Sequence, residues 1–210
     1  MRRTREVAVQ LQRSAIMRPA TLLFISVSIA LPLAAATIEA VVQDARGGAV
    51  HDAVVYAIPE SRPVPPPKRA AVMEQKNRAF VPHVLAVQTG TSVRFPNLDD
   101  VQHHVYSFSP AKPFQLPLYK GNPPTPVVFE RHGVVTLGCN IHDQMSAYIV
   151  VVDTPYFEKT AANGRTALRD LEPGRYSVHV WAPDMRGEPA AKIVTVNGSE
   201  RADVAFNIGR

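Results

Sequence analysis

The 210-residue chain carries 23 Lys+Arg against 18 Asp+Glu, a net charge of +5, and one cysteine. A single cysteine excludes an intrachain disulfide framework, and the length admits one domain or two small ones. The positive charge gathers at one end. Residues 1–36 hold five arginines and one glutamate, and without them 18 basic residues face 17 acidic ones, with no basic patch of the kind that grips nucleic acid.

Taken in chain order, residues 1–36 read as a secretory signal peptide. A basic segment ending at Arg18 precedes the apolar run 20-ATLLFISVSIALPLAAA-36, which closes on Ala34-Ala35-Ala36. The run is short for a membrane span. Cleavage before Thr37, a periplasmic location and no stable membrane span in the mature chain are therefore expected. Arg2-Arg3 lacks the apolar residues that follow a twin-arginine signal, which favours the general secretory route.

Everything beyond residue 36 reads as all-β. Short runs rich in Val, Ile, Tyr and Thr recur between Gly, Pro, Asn and Asp: 38-IEAVV-42, 53-AVVYAI-58, 84-VLAV-87, 91-TSVRF-95, 103-HHVYSF-108, 133-GVVTLG-138, 147-AYIVVV-152, 175-RYSVHVW-181 and 193-IVTV-196. No long stretch has helical periodicity. The stretch 59-PESRPVPPPKR-69 favours extended polyproline II over a strand, which makes residues 60–69 a linker. A second break falls at 153-DTPYFEKTAANGR-165, so residues 70–152 form a segment of their own.

The two flanks share a character. The first, 37-TIEAVVQDARGGAVHDAVVYAIP-59, runs strand, Asp-x-x-Gly turn, strand; the second contains 164-GRTALRDLEPGRYSVHVWAP-183. Together they resemble the carboxypeptidase regulatory-like β-sandwich. Neither is long enough for a stable sandwich alone. The expectation is one small sandwich built from 37–59 and 160–210 and interrupted by the middle segment; the alternative is an N-terminal extension and a separate C-terminal appendage.

The middle segment carries the chemistry. In 137-LGCNIHDQMSAYIVVVD-153, Cys139, His142 and Met145 stand three residues apart on one loop between two strands. Two histidines and a cysteinate with a long axial methionine make the blue-copper type of site. The loop supplies three of those four ligands, and the fourth must be a histidine from another strand. Upstream, 93-VRFPNLDDVQHHVYSF-108 offers two adjacent ones, His103 and His104. Their side chains point to opposite faces of a strand, so only one can reach a shared metal.

Both elements resemble the cupredoxins, plastocyanin and amicyanin among them, and the whole middle segment looks like the methylamine-utilisation-like cupredoxin proteins. That family carries Phe/Trp-x-Asn followed, six residues after the Asn, by the first copper histidine. Here Phe95-Pro96-Asn97 leads at that interval to His103. The loop has amicyanin's short spacing, and Gly133 also matches, six residues before Cys139. His104 stands where the family has an asparagine that holds the ligand loops together, a departure that leaves the choice between the two histidines open, with the register from Asn97 favouring His103. The resemblance implies a cupredoxin Greek-key sandwich, inserted in or attached to the smaller sandwich; the segment itself shows roughly seven short strands, slightly lean for that fold. It implies one type 1 copper held by His103, Cys139, His142 and Met145, with electrons leaving through His142.

The remaining candidates have plainer readings. His51, His83, His132 and His179 are expected at the surface or in hydrogen bonds, and Asp99 and Asp100 in a turn. Asn140, next to Cys139, is open between a turn and a hydrogen bond to the thiolate. A catalytic Cys–His pair would need an orienting group and oxyanion donors that the loop does not offer. Zinc with three protein ligands would leave the methionine without a purpose. The expected function is periplasmic electron transfer, not catalysis, with transient redox protein partners. The alternatives are a copper carrier or sensor, or an envelope β-sandwich protein without redox activity.

Overall fold

A computed structural model describes residues 35–67, 69–123 and 125–210; the expected signal peptide lies almost wholly outside them. The described chain is all-β, and among the described residues no helix is long and apolar enough to cross a membrane. Seventeen strands follow in order. They are β1 (Ala36–Asp44), β2 (Val54–Pro59), β3 (Ala71–Val72), β4 (Glu74–Lys76), β5 (Ala79–Val81), β6 (Val84–Gln88), β7 (Thr91–Arg94), β8 (His103–Ser107) and β9 (Phe114–Tyr119). Then come β10 (Val127–Phe129), β11 (Gly133–Gly138), β12 (Ser146–Val152), β13 (Phe157–Lys159), β14 (Arg165–Leu171), β15 (Gly174–Trp181), β16 (Lys192–Val196) and β17 (Arg201–Ile208).

The flanks meet in strand pairing. β1 lies between β14, antiparallel, and β17, parallel. β2 lies between β13 and β15, both antiparallel, and β16 extends that sheet. The period-2 pattern of β1 buries Ala36, Ile38, Ala40 and Val42, which share one core with Val55, Tyr176, Val178, Val180 and Phe206. Ala36 is fully buried at the head of β1, so a cut before Thr37 trims one residue from this core. The Asp-x-x-Gly turn has a local cause. Asp44 Oδ1 accepts the N–H groups of Arg46 (2.8 Å) and Gly48 (2.9 Å), and Gly47 takes a positive φ of 80° between them. Between the flanks, the proline-rich stretch forms no strand among its described residues, and the carbonyl of Pro65 accepts from Gln88.

The intervening residues make a second two-sheet body. One sheet runs β6-β12-β11-β8-β9 and the other β10-β7-β3, with the hairpin β4-β5 beside them. Phe95, Phe129, Val93, Val105, Val135, Leu137 and Ile149 fill the space between the sheets. Ten strands stand here against the roughly seven expected. Most of the additional ones are only two or three residues long. β9 contains Pro117, tolerated because β9 is an edge strand and because its pairing with β8 slips there by a bulge. The two bodies touch through Val54, Val84, Val150 and Val152, with Tyr148 against Trp181 at 5.1 Å between ring centroids.

Candidate metal centre

Pairing of β11 with β12 sets Leu137 opposite Ala147 and Gly138 opposite Ser146, so Cys139 and Met145 emerge side by side at the open end of this ribbon. The loop between them is closed tightly: Met145 N–H donates to the carbonyl of His142 at 2.9 Å. β8 pairs next to β11, with Tyr106 opposite Gly138, and brings its first residue, His103, to the same end of the sheet.

Three side chains converge there. One ligating atom each from His103, Cys139 and His142 lies within 4.8 Å of the others. The two histidine Nδ1 atoms are 3.2 Å apart, and Cys139 Sγ is 3.9 Å from His142 Nδ1. His103 and Cys139 are buried, while His142 is half-buried. Met145 is 1% exposed and belongs to the same buried cluster as Cys139 and Val105. His104, one residue on, has its ring against Tyr106 at 5.5 Å rather than in the cluster. Its Nδ1 has no hydrogen-bond partner, and burial lowers its pKa below the ordinary histidine value.

Asn97 explains how the upstream motif works locally. Its amide donates to the carbonyls of Val101 (2.8 Å) and Tyr119 (2.9 Å), and its oxygen accepts from Asp99 N–H (3.0 Å). One buried amide thereby ties the 97–101 loop to the edge strand and sets where His103 enters β8.

Asp99 has a larger part than a turn residue. Its Oδ2 lies 2.8 Å from His103 Nε2. An ionised carboxylate only accepts, so in this contact the hydrogen sits on His103 Nε2. Burial acts to raise the Asp99 pKa. The Arg78 N–H, the His103 ring and the Asn77 N–H outweigh it and hold the carboxyl below its ordinary value. Nearby, Tyr119 donates to the carbonyl of Phe95 at 2.5 Å; burial pushes its pKa up to about 12, so it stays a neutral donor. Sequence reasoning missed Asp99 as a site residue. The available signal was its spacing of four from His103 with Asn97 just before it.

The donor set fits copper. One thiol and two imidazoles converge, and Met145 lies in the same buried cluster as Cys139. It does not fit a nucleophile: Cys139 is 3% exposed, which leaves a substrate no access to the sulfur. The other histidines lie elsewhere. His51 is 3.8 Å from Asp52, His83 Nδ1 is 3.2 Å from the Ser146 carbonyl, His132 is 2.8 Å from Asp153, and His179 is 2.9 Å from Ser177. Asn140 is exposed.

No protein-family model matches the chain, and no curated protein matches it. Solved structures do. A copper-containing nitrite reductase from Thermus scotoductus SA-01 is 21% identical over 45% of this chain, with a TM-score of 0.37, and the match spans only 26% of that enzyme. A purple cupredoxin from Nitrosopumilus maritimus is 24% identical over 40% of this chain and 99% of its own, with a TM-score of 0.34. A methionine-to-alanine mutant of amicyanin, in its Cu(I) form, is 18% identical over 46% of this chain and 98% of its own, with a TM-score of 0.36. The solved structures to which this all-β chain is similar thus include cupredoxins, over less than half of its length.

Proposed function

We propose that the protein is an exported electron carrier with one type 1 copper site. In this reading His103 Nδ1, Cys139 Sγ, His142 Nδ1 and the Met145 thioether hold the metal. The observation that carries it is the convergence of the two Nδ1 atoms and the only thiol of the chain within 4.8 Å. Copper bound there supplies one-electron chemistry. The protein's task is to keep the donor geometry nearly unchanged in both oxidation states. Burial of His103, Cys139 and Met145 favours this, because packed side chains do not rearrange at small cost. Burial also excludes water from the sulfur side. His142, half-buried, is the member through which electrons enter and leave, and the rim around it docks redox proteins weakly and briefly.

The domain division belongs to the same reading: residues 37–59 with 160–210 as a split sandwich, 60–69 as linker and 70–152 as the copper domain. The signal peptide in residues 1–36 delivers the protein to the periplasm. The deciding measurement is the absorption spectrum of purified protein loaded with Cu(II). Thiolate ligation by Cys139 gives an intense visible band that vanishes on reduction with dithionite, and Cys139→Ser abolishes it without unfolding the protein. A colourless Cu(II)-loaded wild type would refute the electron-carrier reading.

A further inference from the structure

The β4-β5 hairpin turns through Asn77 and Arg78, both at positive φ (55° and 54°), the two-residue geometry in which consecutive N–H groups face one side. Both face the same carboxylate. Asp99 Oδ1 accepts from Asn77 N–H at 2.6 Å, and Oδ2 accepts from Arg78 N–H at 2.9 Å. The same Oδ2 also takes His103 Nε2 at 2.8 Å. The carboxylate is therefore held by three donors from two parts of the chain, and its side chain is only 12% exposed.

The turn is itself anchored. Gln75 N–H donates to the carbonyl of Pro96, Leu98 N–H donates back to that of Gln75, both at 2.8 Å, and the Gln75 side chain donates to that of Phe95 at 3.2 Å. The hairpin cannot drift relative to the loop that carries Asp99. Asn97 fixes that loop from the other side.

We propose that Asp99, seated in the Asn77–Arg78 turn, is a positioning residue that locks His103 in its Nε2–H tautomer and ring orientation, so that Nδ1 is presented to the metal before any metal arrives. This role rests on the copper reading of the site. The hairpin, which lies outside the ligand loops, becomes a working part of the centre. It holds the carboxylate, and the carboxylate holds the imidazole of His103. Partners of this kind, one step behind a ligating histidine, govern affinity because they remove its freedom to turn away.

The test uses full-length protein and the variants Asp99→Ala, Asp99→Asn and Asp100→Ala. Asp100 is the exposed neighbour and controls for loss of a negative charge alone. In metal-free protein, nitrogen-15 NMR should show His103 as the Nε2–H tautomer in the wild type and a tautomer mixture in Asp99→Ala. Affinity for Cu(II), measured by competition against a chelator, should fall about 10–100-fold in Asp99→Ala. Asp99→Asn, which keeps the shape, should fall in between, and Asp100→Ala should match the wild type. Circular dichroism checks the fold, and Asp99→Asn carries the test if the alanine variant unfolds. An Nδ1–H tautomer in the wild type, an affinity unmoved by either Asp99 substitution, or an equal fall in Asp100→Ala would overturn the role of Asp99 while leaving the copper reading intact. A wild type that takes up no Cu(II) would overturn the copper reading, and this role with it.

Discussion

Thr160→Val tests whether the two flanks form one cooperative unit. Thr160 is 2% exposed and stands just after β13. Its hydroxyl donates to the carbonyl of Val50 at 2.6 Å and accepts the N–H of Ala53 at 2.9 Å. Its own amide and carbonyl pair with the same segment, to Ala53 at 2.8 Å and Asp52 at 3.2 Å. Valine keeps the shape and those two backbone bonds but strands one buried acceptor and one buried donor, in residues that are themselves fully buried. Each stranded group costs about 1–3 kcal/mol, and the added methyl returns at most about 0.8 kcal/mol. The net loss is about 1–5 kcal/mol, a large share of the roughly 5–15 kcal/mol that holds a domain folded. Urea unfolding followed by fluorescence is selective, because Trp181, the only tryptophan, ends β15 in this sandwich. The midpoint should drop sharply in Thr160→Val and much less in Thr160→Ser, which retains both hydroxyl bonds. A Thr160→Val midpoint matching that of Thr160→Ser would refute the reasoning.

Two further outcomes concern the metal centre. His103→Ala should lose the type 1 signal in electron paramagnetic resonance and His104→Ala should keep it; the reverse result would invert the strand-face assignment of β8. For Met145, voltammetry should rank the reduction potentials Leu above Met above Gln. A weak axial thioether tunes the potential more than it decides binding, and a harder oxygen favours the oxidised state. Three equal potentials would reduce Met145 to a core-filling residue.

The spacing behind the His103, Cys139 and His142 cluster was legible in the sequence: Cys139 and His142 on one loop, and Asn97 at a fixed interval before His103. The strands rich in β-branched residues were legible too, β12 and β15 most clearly. What escaped reading depends on contacts between distant segments. Asp99 looks like any aspartate in a polar turn until the hairpin is folded against it. The hairpin itself carries Asn-Arg where Asn-Gly would have advertised the turn. β9 hides behind Pro117, which reads as a strand breaker unless the edge position is known. β14, with Arg165, Arg169 and Asp170, lacks the apolar alternation of a half-buried strand and owes its place to pairing with β1.

The central position of β1 bears on how the protein is made. Thr37 pairs with Arg201 and Ala36 with Leu171, so β1 finds both of its neighbouring strands among residues synthesised well over a hundred positions after it. Residues 70–152, by contrast, find their strand partners within themselves. On a chain emerging from its N-terminus, that region can acquire its structure first, while β1 waits with both hydrogen-bonding edges bare. Closing so long a loop is slow, and bare edges invite association with other chains in the meantime. A chain halted after residue 152 would thus carry His103, Cys139 and His142 and still display an unpaired strand.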